Sequence, residues 1–424
     1  MWARIRDFLA SYGLLGIPLA LALWFAWGFV APPPPTRLSM AVGQPGGAYW
    51  QAAERYREAL GREGITLELI ETAGAVENLA LVQSGRAALG FAQGGAVPPA
   101  QAPDVVSLGA VFPEGVWLFR RDEIDIERIS ALRGRRVAIG REGSGTRALA
   151  LALLDASGVA TGEATLLPLA GMEAATALES GQVDAALIVS ARPTEPIRHL
   201  LRAPGIRLTD IGSRAEAYVA AFPYLTAVTL AAGTVSLAED LPHEGYTMLA
   251  PMAQVAVQKE IHPQIVALMM DILAATHRGR DLLAPPGKFP NDLQIDLPMH
   301  PDAARWYRSG PSFLQRVAPF WVAVWIDRMW VLLIPLLTIG LPVLRFAPSL
   351  LQWQSEHRIY RWYRTLRAAE LALRNPAADR TKILAELDRV ERRLDNLNVP
   401  LAYMRHLYHL REHLDMVRAR ARQQ

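Results

Sequence analysis

The chain repeats one local pattern, a short apolar strand followed by a glycine turn and then a helix, and this pattern constrains the fold most. Residues 137–147 (VAIGREGSGTR) break at Gly140 and lead into the apolar-periodic residues 148–156. Ser144 and Thr146 are typical helix-capping residues, and glycines beside them leave backbone amides uncovered for a small anion. Any strand–turn–helix unit needs such a turn, so the motif becomes informative only because an earlier segment repeats it.

The earlier segment predicts a βαβαβ unit. Residues 37–43 form a strand pattern, Gly46 and Gly47 a turn, and residues 49–61 a helix. The pattern then continues as a strand at 65–71, a turn at 72–74, a helix at 76–83 and a strand at 88–92. Glycine turns at successive strand ends should line one edge of a parallel sheet, where ligands of open α/β sheets bind. A second unit starts at Arg136, and two such lobes should face each other across a cleft.

The charge distribution argues against a nucleic-acid-binding core. The net charge of +3 conceals a basic tail, because residues 345–424 contain 16 Lys/Arg and nine Asp/Glu. The chain contains no cysteine, which excludes disulfides, thiolate catalysis and cysteine-ligated zinc. A length of 424 residues suits two lobes with additional segments.

The N-terminal segment predicts a membrane anchor. Residues 12–30 are 19 residues without charge, preceded by Arg4 and Arg6 and followed by prolines 32–35. A cleaved signal peptide, with Ala26-Trp27-Gly28 as its cleavage site, is the alternative. The apolar run is longer than a signal peptide needs, and this favours an uncleaved anchor.

A second apolar segment predicts a second span. Residues 329–344 follow an aromatic, interfacial approach that contains Phe320, Trp321 and Trp325. The alternative is a buried helix of the soluble body. Arginines flank the outer ends of both segments. The protein is therefore expected in a bacterial inner membrane, with both termini in the cytoplasm and the body between the two spans in the periplasm.

The tail, residues 347–424, predicts a cytoplasmic basic helical module. Its apolar residues recur on one face, which is typical of an amphipathic helical hairpin that packs on itself, associates as a coiled coil or binds a partner. Its arginines beside the span would also favour anionic lipid headgroups.

Several ordered motifs give the chain a family resemblance. They are Gly46-Gly47-Ala48-Tyr49, Glu71 to Leu79 (ETAGAVENL), Gly143-Ser144-Gly145-Thr146, Gly181 to Ala186 (GQVDAA), His262-Pro263 and Leu297 to Tyr307 (LPMHPDAARWY). This set resembles the solute-binding receptors of the TAXI branch of TRAP transporters. The resemblance covers about residues 37–310 and implies a type-2 periplasmic-binding-protein fold that closes around a small solute. Ala73 and Ala75 depart from the Gly or Ser often found there, and the second span with its tail is a further departure.

The predicted organisation has four parts. Residues 1–35 form a short cytoplasmic N-terminal segment, a transmembrane anchor and a proline linker. Residues 36–312 form the binding domain. Its first lobe comprises about 36–112 and 235–312, and its second about 113–234. Residues 313–346 form the interfacial segment and second span, and residues 347–424 the tail.

The predicted ligand site uses polar residues and glycines at strand ends and helix starts. These are Gly46, Gly47, Tyr49, Thr72, Ala73, Asn78, Gln93, Arg141, Ser144, Gly145 and Thr146. Amides and hydroxyls suit a carboxylate, and Arg141 or Arg147 can add a charge-assisted bond. The alternative for either arginine is a solvated surface residue of this Arg-rich chain. An acidic amino acid or dicarboxylate is the expected ligand, with no cofactor and no metal.

Enzymatic activity is not predicted. The glycine loop lacks the lysine of a P-loop, and Ser144 is not in a G-x-S-x-G motif. Two functions remain: a tethered receptor that delivers solute to TRAP permease subunits, and a ligand sensor that signals to the cytoplasmic tail. A permease gene next to this one would favour transport, and a ligand-dependent partner of residues 345–424 would favour sensing.

Overall fold

Two α/β sheets form the central part of the chain. The computed structural model describes residues 17, 19–30, 32–375, 379–395 and 404–423. The first sheet contains six strands: β1 (Arg37–Ala41), β2 (Thr66–Ile70), β3 (Leu89–Gln93), β4 (Val105–Pro113), β10 (Leu225–Leu230) and β11 (Tyr246–Gln258). The second contains five: β5 (Gly115–Arg121), β6 (Arg136–Ala138), β7 (Thr165–Leu167), β8 (Ala185–Ser190) and β9 (Ile206–Leu208).

Helices connect and cover these strands. In chain order they are α1 (Ala48–Arg62), α2 (Ala75–Gln83), α3 (Gly145–Ala156), α4 (Gly171–Glu179), α5 (Glu195–Arg202), α6 (Gly212–Ala221), α7 (Pro263–His277), α8 (Pro301–Ser309) and α9 (Phe313–Val317). Short 3₁₀ turns lie at Pro99–Gln101 and Ile129–Leu132. The predicted strands and helices of the first α/β unit and the predicted strand–turn–helix motif at 137–156 are therefore present, with ends displaced by one to a few residues.

Three parallel strands in each sheet end at the same edge. In the first sheet β1 pairs in parallel with both β2 and β3, and in the second sheet β6 pairs in parallel with both β7 and β8. The remaining pairings are antiparallel. Because parallel strands joined by helices share one direction, their carboxyl ends and the turns that follow them lie side by side.

Alternating side chains place a core on both faces of each sheet. In β1, Leu38 and Met40 pack with α1 and α7, whereas Ala41 packs on the opposite face with Leu79 of α2. The second sheet repeats this arrangement: Val137 of β6 packs with α3, and Ala138 packs with α4. Each fully buried aliphatic side chain stabilises the fold by roughly 1.5–3 kcal/mol.

Two extended segments connect the sheets. β4 leads directly through Glu114 into β5, which belongs to the other sheet. Strand β11 runs beside this crossing, because the Glu114 amide donates to the Pro251 carbonyl at 2.9 Å. The residues of β11 that follow Pro251 pair with β3 and β4, and those up to Pro251 pair with β10. Val228 of β10 packs in the core of the second sheet. The two sheets are thus connected by two segments that lie side by side at the crossing.

One helical stretch among the described residues is long and apolar enough to cross a membrane. It spans Phe320–Val343, 24 residues with a mean hydropathy of 1.8, and 11% of its apolar window is buried. Helix α10 (Phe320–Pro335) continues through a π-helical turn (Leu336–Gly340) into α11 (Leu341–Ala372). The predicted aromatic approach and the predicted span form one helical run. The run accommodates two prolines, because Pro335 is the last residue of α10 and Pro342 lies in the first turn of α11, where proline is tolerated.

The predicted N-terminal anchor lies partly outside the described residues. Residues 12–16 and 18 are not described, while residues 19–27 are helical. Trp24, Phe25 and Trp27 are exposed within this helix.

For the second apolar segment, the alternative prediction is a buried helix of the soluble body. This alternative does not fit the side chains of Trp325 and Trp330, which are exposed.

The tail contains three helices that pack together. They are α11, α12 (Arg380–Asp395) and α13 (Met404–Gln423), with Leu366, Leu394 and Leu410 in their shared core. Arg418 of α13 forms ion pairs with Asp388 and Glu391 of α12. Helix α11, which continues from the apolar run Phe320–Val343, packs against both α12 and α13.

Candidate functional site

A cavity of about 220 Å³ lies where the carboxyl edges of the two sheets face each other. From the first sheet it is lined by residues following β1, β2 and β3, including Gly43, Gly74 and Gln93. From the second sheet it is lined by residues following β6 and β7 and by the end of β8, including Gly140 and Ser190. The cavity therefore belongs to both sheets, as expected for a ligand site of open α/β sheets.

Five helices begin at this cavity. The lining residues Ala48, Ala75, Gly145 and Gly171 are the first residues of α1, α2, α3 and α4, and Thr194 is the N-cap of α5. The first turn of a helix leaves its N–H groups without intrahelical partners and carries a partial positive charge. Converging helix starts therefore make the cavity favourable for an anionic group.

The loop before α3 shows how the sequence builds one of these helix starts. Ser144 is the N-cap, and its Oγ accepts from the Arg147 amide at 3.3 Å and donates to the Arg141 carbonyl at 2.6 Å. Gly140 has φ of +87°, and a Cβ there would lie 2.9 Å from the Ser144 Oγ. The glycine is required at this position, because a side chain would displace the cap that leaves the amides of Gly145 and Thr146 directed into the site.

The glycine turns of the two sheets touch. A Cβ on Gly74, whose φ is +138°, would lie 3.3 Å from the Ser144 Cα. Gln93 Nε2 donates to the Gly145 carbonyl at 3.0 Å, and the Glu77 amide donates to the Gly143 carbonyl at 3.3 Å. The lobes are therefore joined by hydrogen bonds directly beside the cavity.

Glu114 places a buried carboxyl group in the cavity wall. It lies at the crossing between β4 and β5, is 5% exposed, and accepts a hydrogen bond from the Tyr49 hydroxyl at 2.7 Å. Burial raises the pKa of Glu114 to about 8, and the hydrogen bond from Tyr49 opposes this rise. Burial and the neighbouring carboxyl group also raise the pKa of Tyr49 well above its ordinary value, so Tyr49 stays the donor. Tyr49 is held by stacking on Phe91, with ring centroids 4.6 Å apart.

Arg141 is the cationic side chain of the cavity lining. Its guanidinium Nη2 lies 3.1 Å from the Glu173 Oε2, and both side chains are about half exposed. The alternative candidate, Arg147, does not line the cavity. An exposed pair of this kind exchanges partners readily, so Arg141 can turn to a bound anion.

The structure brings most of the predicted site residues together. Eight of them line the cavity: Gly47, Tyr49, Ala73, Gln93, Arg141, Ser144, Gly145 and Thr146. Gly46 instead lines an adjoining crevice of about 1,090 Å³, which shares Ala48 and Thr194 with the cavity. The described residues contain no group of three His, Asp or Glu side chains placed to hold a metal ion.

Thr72 and Asn78 do not line the cavity, because their side chains are used to shape the turn before α2. Asn78 is fully buried, donates to the Phe91 carbonyl at 2.9 Å and accepts from the Thr72 hydroxyl at 2.6 Å. The Gly74 amide donates to the Thr72 hydroxyl at 3.2 Å. Both residues are thus positioning residues for the Gly74 turn.

Sequence reasoning missed several lining residues, among them Gln44, Glu114, Ser190 and Thr194. One feature of the sequence could have indicated a role for Glu114: it is the acidic residue within the largely apolar residues 105–119. A lone charge in such a run is costly to bury and is therefore a candidate for a functional role. Ser190 ends β8 and Thr194 follows that strand, and no glycine motif lies there, so no local pattern marks either residue.

The fold and the site together define the class. Two α/β sheets joined by paired crossing segments, with one cavity between their carboxyl edges, form a periplasmic-binding-protein type of fold. The chain belongs to the NMT1-like family, whose model matches residues 40–309.

Several solved structures resemble the chain at low identity and low TM-score. The alkanesulfonate-binding protein SsuA from Xanthomonas axonopodis pv. citri bound to MOPS is 21% identical, with 58% of this chain and 74% of that chain covered and a TM-score of 0.38. An amino acid ABC transporter substrate-binding protein, AbpA from Streptococcus pneumoniae Canada MDR_19A bound to L-arginine, is 17% identical over 57% and 88%, with a TM-score of 0.36. A histidine kinase sensor domain with similarity to periplasmic binding proteins is 17% identical over 56% and 89%, with a TM-score of 0.38.

Proposed function

We propose that this protein is a membrane-tethered, extracytoplasmic receptor that binds a small carboxylate solute for TRAP-type uptake. The observation that carries the proposal is the convergence of five helix N-termini, contributed by both sheets, on one cavity. Such a site binds an anion through backbone amides and gains affinity when the two lobes close on it. The motifs shared with the TAXI branch, from Gly46-Gly47 to residues 297–307, support a role in TRAP uptake.

The size of the cavity is compatible with a small solute. Its volume of about 220 Å³ holds several water-sized groups, since one water molecule needs roughly 10–15 Å³ of such space. This suits a small dicarboxylate or an acidic amino acid.

The solute class is tested by a thermal-shift screen of the full chain in detergent against amino acids, dicarboxylates and sugars. We expect acidic amino acids or dicarboxylates to raise the melting temperature, because a ligand that binds only the folded state stabilises it. Arg141→Gln should weaken binding roughly tenfold, through loss of a charge-assisted hydrogen bond.

The matched control for Arg141 is Arg135→Gln, which removes the same charge from an exposed side chain outside the cavity lining. This variant should bind like the parent protein. Stabilisation by sugars but by no carboxylate would show that the proposed solute class is wrong.

The proposed tether consists of the predicted N-terminal anchor, residues 12–30, and the helical run Phe320–Val343. With two crossings, both termini lie in the cytoplasm and residues 36–312 lie outside it. Because the chain has no cysteine, single-cysteine variants report topology without background. Ser213→Cys lies on the exposed surface of the proposed periplasmic domain, and Glu412→Cys lies on the exposed surface of α13. An impermeant maleimide should label the first variant in intact spheroplasts and the second only after permeabilisation. Equal labelling of both before permeabilisation would contradict this topology.

One contact favours ligand sensing as a second candidate function. Helix α1 begins at the cavity with Ala48 and Tyr49. At its other end the Glu63 carbonyl accepts a hydrogen bond from the Trp321 indole at 2.7 Å, and Trp321 is the second residue of α10. One helix therefore links the cavity to the start of the apolar run, as a signalling route requires. Capture of a protein by residues 345–424 only in the presence of solute would favour this function over uptake.

A further inference from the structure

The cavity contains a buried acidic side chain that anion binding does not explain. Among the residues that line it, the ionisable side chains are Tyr49, Glu114 and Arg141. The helix N-termini and Arg141 can bind the carboxylates of a solute. In its ionised form Glu114 does the opposite: it would repel a carboxylate placed beside it, which lowers affinity for a solute that carries only carboxylates.

Within the described part of the chain, Glu114 receives its side-chain hydrogen bond from one donor. An ionised carboxylate offers about four acceptor positions, and the Tyr49 hydroxyl occupies one of them, on Oε2. The side chain is 5% exposed, so bulk water contributes little, and it lines the cavity rather than the solvent surface. A buried carboxyl group that has one donor and borders a ligand cavity is well placed to receive a donor from the ligand.

We propose that Glu114 selects solutes that carry a protonated amine, so that the receptor binds acidic amino acids and discriminates against dicarboxylates without an amine. In this arrangement the ammonium group of the solute donates to the Glu114 carboxylate, and the solute carboxylates lie at the helix N-termini and at Arg141. Tyr49 fixes the position of the Glu114 carboxyl group. This inference rests on the proposed carboxylate-receptor function and narrows its substrate class.

Proton release is a direct consequence of this arrangement. Burial raises the pKa of Glu114 to about 8, so the empty site holds a protonated carboxyl group at neutral pH. An ammonium partner favours the ionised form, and binding therefore expels the proton to solvent. The Tyr49 hydroxyl, whose pKa is raised by burial, keeps its proton in this range. Affinity for an amino acid should consequently rise by up to about tenfold from pH 6 to pH 7.

The test compares matched solutes on the full chain in lipid nanodiscs by isothermal titration calorimetry. L-glutamate is compared with glutarate, and L-aspartate with succinate, because the members of each pair differ only in the amine. The parent protein should prefer the amino acid by roughly 10–100-fold, the value of a hydrogen bond to a charged group. Titrations at pH 7 in buffers with different ionisation enthalpies should detect release of close to one proton per amino acid bound.

Glu114→Gln keeps the size of the side chain and an acceptor for Tyr49 but removes the charge. It should reduce the preference for the amino acid to less than about threefold and abolish proton release. Glu123→Gln is the control, because Glu123 is exposed and lies outside the cavity lining, and it should preserve both.

The outcomes separate the two proposals. If glutarate or succinate binds as tightly as the matching amino acid, or if Glu114→Gln leaves the preference unchanged, the role of Glu114 is wrong while the receptor function stands. If none of the four solutes binds to any variant, the carboxylate-receptor function is wrong and the inference about Glu114 fails with it.

Discussion

Gly74→Val is expected to weaken solute binding by roughly 100-fold. Gly74 lies at the turn before α2, and a Cβ there would approach the Ser144 Cα of the opposite lobe to 3.3 Å. Its φ of +138° is also unfavourable for any other residue. The backbone strain acts whether or not solute is bound, but the collision with Ser144 occurs only when the lobes touch. Overpacking of this kind costs about 1–3 kcal/mol, and the whole of that cost opposes closure around the solute.

Gly46→Val is the matched control for this experiment. Gly46 also has a positive φ, +82°, but a Cβ there would have no heavy atom within 4 Å. Both variants should therefore lose some thermal stability, whereas only Gly74→Val should lose affinity in calorimetric titrations. If both variants bind solute within threefold of the parent protein, contact between the Gly74 and Ser144 turns is not needed for binding.

Glu114→Gln is expected to change how the stability of the solute-free protein depends on pH. The pKa of Glu114 is raised by burial from 4.5 to about 8, so the folded protein retains this proton at pH values where the unfolded chain has lost it. Between these limits the free energy of unfolding of the parent protein falls as pH rises. Glutamine has no proton to lose, and the variant should be more stable than the parent by roughly 2–4 kcal/mol at pH 8.

The measurement is thermal unfolding of both proteins in detergent between pH 5 and pH 8.5, without solute. The curves should lie close together at pH 5 and diverge as pH rises, while Glu123→Gln should follow the parent throughout. Parallel curves for the parent and Glu114→Gln would mean that Glu114 is ionised in the empty protein. In that event the expected proton release on binding would also be lost.

The α/β units could be predicted because their determinants are local. The strand at 37–43 corresponds to β1, and the turn at 72–74 precedes α2, since alternation and glycine turns act over a few residues. Gly143, Ser144 and Gly145 could be assigned to a helix start for the same reason: the cap depends on residues next to one another in the chain.

The remaining site residues depend on distant parts of the chain. Asn78 is of a residue type that often binds ligands, but its side-chain amide donates to the Phe91 carbonyl, 13 residues away. Glu114 and Tyr49 are 65 residues apart and meet because the β4–β5 crossing passes the start of α1. Neither the direction of Asn78 nor the pairing of Glu114 with Tyr49 can be read from neighbouring residues.

The sequence by itself determined the strand–turn–helix units, the helix caps and the apolar run that ends near Val343, because hydrophobic period, glycine and capping chemistry act within a few residues. Only the tertiary structure decided that Gly74 meets Ser144, that Gln93 bonds to Gly145, and that Glu114 is buried in the cavity wall. Those contacts depend on how two sheets are placed by the paired crossing of β4 and β11. The free energy that holds them together comes from packing between segments far apart in the chain.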